Sequence, residues 1–308
     1  MPAQLISGDV RELPPDELRA VLKDIGVTRI DTAARYQNGE SEKIIGRTKL
    51  SQDFTIDTKV LFTGPADPCL NPDAIEKSVS NSLQVLGMDR VNVLYCHAPD
   101  FSTPIADQAK AFNDQYKKGR FTHLGVSNLS ADYLTEWIQI AEKEGYVKPS
   151  VYQGQYNLLC RSLEETLFPL LRKHGIKFAG YSPLAGGFLL GNFTADGVQG
   201  GTRFALNTPY NKWYNHASMH EAIKKLRAIS EKTGLDMDEL SFRWERYHSI
   251  LNDEDVIIMG ASKPEQIRSS VKKASNGPLD DQVAKELSDL WGPCRDDGMA
   301  TTEFKKPE

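Results

Sequence analysis

Four side chains within the first hundred residues could do chemistry together: Asp31, Tyr36, Lys59 and His97. Asp31 and Tyr36 share the string DTAARY, Lys59 ends FTIDTK, and His97 ends VNVLYCH. A carbonyl that receives a hydride develops negative charge on oxygen and needs a proton. A tyrosine with its ordinary pKa near ~10 is a weak acid for that task at neutral pH. Lowering it by ~3 units takes about 4 kcal/mol. One ammonium ~4 Å away, at an effective dielectric near ~20, supplies about that much. Lys59 is therefore expected to acidify Tyr36, with Asp31 holding Lys59 charged and aimed. His97 is expected to donate a second hydrogen bond to the developing oxyanion. Singly, each has a plainer reading: a turn cap, a half-buried aromatic anchor, a solvated strand end, a satisfied core histidine. Their occurrence in this order at successive strand ends favours the chemistry.

The elements that must position them follow from apolar patterning. Short β-rich runs occur at 28–33, 54–59, 91–97, 122–127, 151–156, 177–182 and 255–261. Several are continuous Val, Ile, Leu and Phe runs, as expected of strands covered on both faces. Helical patterns lie between them. Asn71-Pro72-Asp73 opens one that Gly87 closes; Pro104 opens another that ends near Gly119; Ser130 caps one that ends at Gly145. Ser162 with Glu165 reads as a capping box, with Gly175 as the stop. This alternation predicts an α/β fold, a (β/α)8 TIM barrel, as one domain spanning 1–308. The eighth strand must come from 3–7, so the first strand is short or atypical. Strand C-terminal ends form the active-site face of such a barrel, which is where the polar residues fall. The segment from Gly186 to about Tyr214 reads as a long, Gly-rich and aromatic loop.

Composition narrows the function. The formal net charge of -5 gives no basic field for nucleic acid or an anionic membrane. Cys69, Cys96, Cys160 and Cys294 lack CxxC spacing, so a metal site and a disulfide scaffold are not expected. A reducing, cytoplasmic location is expected, since the N-terminal residues do not read as a signal peptide and the apolar runs are too short for a membrane span.

The strings DTAARYQNGESE, LYCHAPD, LGVSN, VYQGQYN, AGYSPLAGGFLLG and IIMGASKPEQI together resemble the aldo-keto reductases, and the aflatoxin-aldehyde reductase branch in particular. The likeness covers about residues 28–275. It implies Tyr36 as general acid/base, tuned by Lys59 and Asp31, with His97 orienting the carbonyl. It implies NADPH as cofactor. Ser127, Asn128 and Gln153 would bind the nicotinamide carboxamide, and Tyr181 would stack on its ring. Ser182, Pro183, Leu184, Gly186, Gly187, Leu189 and Gly191 would wrap the pyrophosphate, and Arg203 would close over it. Gly260, Ser262, Gln266 and Ser270 would face the adenosine end, Lys263 would meet a 2′-phosphate, and Arg268 would sit at the same end or point to solvent. Arg35, Phe101, Tyr210, Lys212, Trp213 and Tyr214 would frame a pocket for a small, flat carbonyl substrate, in a monomer or homodimer.

The sequence also departs from the pattern. Its N-terminal segment is short, Asn192 stands where relatives often have a lysine, and Ser270 stands where an asparagine is common. Two other readings stay open. One is a cofactor-binding regulatory subunit resembling the β subunits of potassium channels. The other is a barrel repurposed for a non-redox biosynthetic step.

Overall fold

The computed structural model describes residues 4–6, 15–194, 197–200, 204, 209–260, 263–299 and 304. Eight parallel strands close a barrel: β1 (Gln4–Ile6), β2 (Arg29–Asp31), β3 (Thr55–Lys59), β4 (Val91–Cys96), β5 (Phe121–Ser127), β6 (Pro149–Gln155), β7 (Lys177–Tyr181) and β10 (Val256–Met259). A two-stranded ribbon, β8 (Phe193–Thr194) with β9 (Gly197–Val198), sits outside it. The expected eighth strand is present and short. It pairs with β10 on one side and β2 on the other, which closes the ring.

Strand alternation separates two interiors. Outward residues such as Ile30, Ile56, Leu94, Val126, Phe178 and Ile257 join the core beneath the helices. Inward residues Val93, Tyr95, Val151, Ala179, Val256 and Ile258 form a separate cluster along the barrel axis. Tyr95 fills much of that axis, and Gly125 on β5 makes room for it. A Cβ at Gly125 would lie 2.3 Å from the Tyr95 ring.

Helix ends mostly follow the expected signals. Asn71 accepts from the Ala74 N–H at 2.8 Å, Ser130 accepts from the Tyr133 N–H at 3.2 Å, and Gly87 and Gly145 close their helices in the left-handed region. The predicted capping box at Ser162 is not made. Ser162 lies in the helical region without a side-chain cap, and the helix breaks into Leu163–Thr166 and Phe168–Lys173 around Leu167. Pro169 falls in the first turn of the second helix, where its missing N–H costs no helical bond. The segment 186–214 is more ordered than a plain loop. It contains part of the turn Ala185–Leu190, the ribbon, and the helix Pro209–Tyr214. Among the described residues, no helix is long and apolar enough to cross a membrane, and no His/Cys/Asp/Glu cluster could hold a metal.

Gly125→Ala should force Tyr95 out of its rotamer. Overpacking of this kind costs about 1–3 kcal/mol, and a urea unfolding midpoint unchanged from wild type would show that the axis is not packed this way.

Candidate active site

Asp31 and Lys59 are the last residues of β2 and β3, and both are buried. The Lys59 ammonium donates to Asp31 Oδ2 and to the Thr32 carbonyl, the latter at 2.8 Å. The Tyr36 ring centroid lies 5.0 Å from the same ammonium, whose charge pulls on the phenol. Tyr36 opens the turn Tyr36–Gly39, in which Gln37, Asn38 and Gly39 all take positive φ (52°, 54° and 88°). That sharp reversal brings the phenol back over the strand ends. His97 follows β4, and its ring meets Tyr36 edge-on with centroids 5.8 Å apart. The four residues expected to meet do meet.

Their electrostatics differ from expectation in one respect. Tyr36 is held above, not below, its usual pKa: burial outweighs the pull of Lys59, and Asp31 opposes that pull. Counting the ammonium alone overstated the acidification, because Asp31 offsets its charge and desolvation penalises the phenolate. His97 is pushed down to about 3 by burial, then by Lys59 and Arg35. It is neutral at physiological pH, and its buried Nδ1 has no protein partner.

The residues expected at the nicotinamide are knitted to one another. Asn128, in the left-handed region at φ 61°, donates to the His97 carbonyl and to Ser127 Oγ, both at 3.0 Å, and accepts from the Tyr181 hydroxyl at 2.8 Å. Gln153 donates to Asp31 Oδ1 at 2.8 Å, so its amide nitrogen belongs to the ion pair. In the 182–191 segment, the N–H groups of Ala185, Gly187, Leu189 and Gly191 close turns on Ser182, Leu184 and Phe188 carbonyls. The Leu189 side chain lies in the main core rather than in a groove. Gly186 and Gly187 have φ of 68° and 104°, and Tyr210 packs where a Gly186 side chain would stand.

Among the residues expected at the adenosine, Gly260 is exposed after β10, Lys263 precedes the helix Pro264–Ala274, and Gln266 and Ser270 lie on that helix. Arg268 is ion-paired with Asp24. Arg203 and Ser262 lie outside the described residues.

At the mouth, Arg35 is exposed with its guanidinium 5.8 Å from the Phe62 ring centroid. Phe62 in turn stands 6.1 Å from the His97 ring and 6.1 Å from Phe304. Phe62 and Phe304 were not expected there. A phenylalanine three residues past Lys59, and an isolated one in a polar tail, were the available signals. Phe101 packs on Tyr133, Tyr210 on Trp213, and Lys212 is exposed. Tyr214 is not a pocket wall. It is fully buried, its hydroxyl bonds Gln155 at 2.5 Å, and its ring stacks on Phe188.

This geometry agrees with the comparisons. Residues 10–291 match the model of the Aldo/keto reductase family. The chain is 34% identical over 285 residues to "Oxidoreductase sirO" of Leptosphaeria maculans, covering 91% of this chain and 86% of that one. It is 33% identical over 282 residues to "Aflatoxin B1 aldehyde reductase member 4" of Homo sapiens, covering 86% and 85%. The crystal structure of a thermostable aldo-keto reductase, Tm1743, in complex with the inhibitor epalrestat superposes with a TM-score of 0.69 at 23% identity, covering 94% of this chain and 95% of that one. The fold is that of the aldo-keto reductases, and the chain is an oxidoreductase. The chain belongs to the aldo/keto reductase family, and the aflatoxin B1 aldehyde reductases are among its relatives.

Replacing Lys59 by methionine leaves Asp31 buried without its cation. Breaking a buried pair in this way costs about 3–5 kcal/mol, which chemical denaturation of Lys59→Met would read. A loss under about 1 kcal/mol would show that the pair is solvated, as surface pairs are.

Proposed function

We propose that this protein reduces an aldehyde or ketone to an alcohol with NADPH, using Tyr36 as the general acid. The observation that carries this reading is the buried Lys59 ammonium, paired with Asp31 and set beside the Tyr36 ring and neutral His97. Bound cofactor supplies the hydride. The chain supplies the proton and the field. As the carbonyl oxygen gains charge, Tyr36 passes its proton to it. An alkoxide is a far stronger base than a phenolate, so this transfer runs downhill even from a phenol whose pKa is raised. Lys59 then stabilises the tyrosinate, and Asp31 keeps the ammonium in place. His97, held neutral, is a hydrogen-bond donor to the same oxygen and carries no charge of its own.

The residues suit a nicotinamide dinucleotide. Tyr181 is held by Asn128 at the strand ends, giving a ring fixed for stacking. Positive φ at Gly186 and Gly187 gives a tight turn whose own residues add no side chain there. The helix Pro264–Ala274 offers its N-terminal end and Lys263 to a phosphate. The mouth, with Phe62 and Phe304 beside His97 and Arg35 exposed at its edge, suits a flat carbonyl compound that carries a negative group.

Tyr36→Phe should bind NADPH as wild type does, read by quenching of protein fluorescence, while turnover of a carbonyl panel falls by about 100-fold or more. A turnover within a few-fold of wild type would remove Tyr36 from the acid role. Lys263→Ala should raise the Kd for NADPH by roughly five-fold, about 1 kcal/mol, and leave NADH binding alone. Equal effects on both cofactors would take Lys263 away from the 2′-phosphate.

A further inference from the structure

Below the tetrad lies a second ion pair that the mechanism does not use, a buried Asp57 with a half-buried Arg29. Arg29 stands two residues before Asp31 on β2, and Asp57 stands two before Lys59 on β3. All four therefore point to the barrel axis. The strands pair in register with Asp31 beside Asp57. The result is a ladder of charge, with Arg29 lowest, the two carboxylates side by side, and Lys59 at the top. Arg29 Nε donates to Asp57 Oδ2; Asn92 Nδ2 and the Val93 N–H donate to Asp57 Oδ1 at 2.8 and 3.0 Å. The Tyr95 ring lies 5.4 Å below the Lys59 ammonium.

This arrangement poses a hazard for the site. Lys59 is the nearest flexible cation to Asp57 along the same strand face. An unpaired Asp57 would compete with Asp31 for it and draw the ammonium down from Tyr36. The geometry points to Arg29 as a positioning residue: it occupies Asp57, so that Lys59 stays on Asp31, the Thr32 carbonyl and Tyr36. The inference rests on the acid role of Tyr36 given above. The groups facing Asp57 are Arg29 and Asp31 from β2, Asn92 and Tyr95 from β4, and Lys59 on its own strand. Burial, opposed by Arg29 and aided by Asp31, pushes Asp57 up to about 6. Without Arg29 it would rise further and compete only where it ionises.

The test compares wild type, Arg29→Gln and Arg29→Gln/Asp57→Asn. Two readouts are used: turnover across about pH 6 to about pH 9, and the titration of Tyr36 carried up to about pH 12, beyond the ordinary tyrosine range near ~10, by NMR of ring-labelled tyrosine, its signal assigned by loss in Tyr36→Phe. Arg29→Gln should lose about ten-fold in kcat, with the deficit widening as pH rises, and its Tyr36 should titrate higher. The double variant, with no carboxylate left to compete, should recover both. A merely structural pair would leave the double variant no better than Arg29→Gln, which would overturn the proposal, as would an Arg29→Gln profile matching wild type. If Arg29→Gln does not accumulate as folded protein, the double variant decides: a Tyr36 titration like wild type supports the role of Arg29, and a displaced one or a failure to fold overturns it. If no carbonyl is turned over even by wild type, the reductase reading fails while the Tyr36 titrations still judge this one.

Discussion

A buried ammonium held by a carboxylate and a carbonyl organises this molecule. Taking a charge of that size into a protein interior costs several kcal/mol even after relaxation. The cost is offset only where partners are fixed before the charge arrives. Lys59 has a carboxylate from β2 and a carbonyl from the same strand end as acceptors, and the phenol ring of the turn that follows beside it. All three come from one short stretch, residues 31–36, so a single strand register sets the geometry. The turn at Gln37 and Asn38 contributes strain of its own, since two non-glycine residues in succession take positive φ. A backbone that cost would persist only where surrounding contacts hold it. Thr32 Oγ1 and Ser41 Oγ, 2.7 Å apart, and Glu42 bonded to Thr58 Oγ1 and Ser82 Oγ, tie the far end of the turn to β3 and its helix.

The other strand ends are fixed by the same economy of hydrogen bonds. Asn128 joins β5 to the residue after β4 and to β7, and Gln153 joins β6 to the Asp31 carboxylate. Beyond β4, Asp100 is fully buried and accepts from the N–H groups of Leu70, Ser102 and Thr103 and from the Thr103 hydroxyl. One carboxylate thus holds two loops of the rim together. The rim around His97 is rigid because its polar atoms are already committed to protein partners. The unpartnered Nδ1 of His97 is an exception in that neighbourhood.

Much of this was legible in the sequence. The seven apolar runs all became strands, and Asp31, Tyr36, Lys59 and His97 could be picked out because polar residues closing apolar strands are unusual. What was not legible depended on distance. Arg29 and Asp57 sit inside strands, where RID and TIDTK read as ordinary alternation. Only the register shows that their charges face each other. Tyr214 looked like a rim aromatic because it belongs to an aromatic run, yet helix Pro209–Tyr214 turns it inward. The direction of the Tyr36 shift also escaped, because a sequence identifies an ammonium but not the depth at which it is buried.

Depth also separates the acids of this molecule into two kinds. Glu245 lies between the barrel and its helix, against the small outward face of Gly180, with both carboxyl oxygens buried and unpartnered. Burial holds it well above the usual carboxylate range. Glu42, in a similar layer, is also pushed up by burial although three groups oppose the shift. Along the axis the acids face cations: Arg29 for Asp57 and Lys59 for Asp31. A charge in a low-dielectric surround is felt over a longer range than one in water. The axial pairs, set on two adjacent strands, therefore act on the site with little screening.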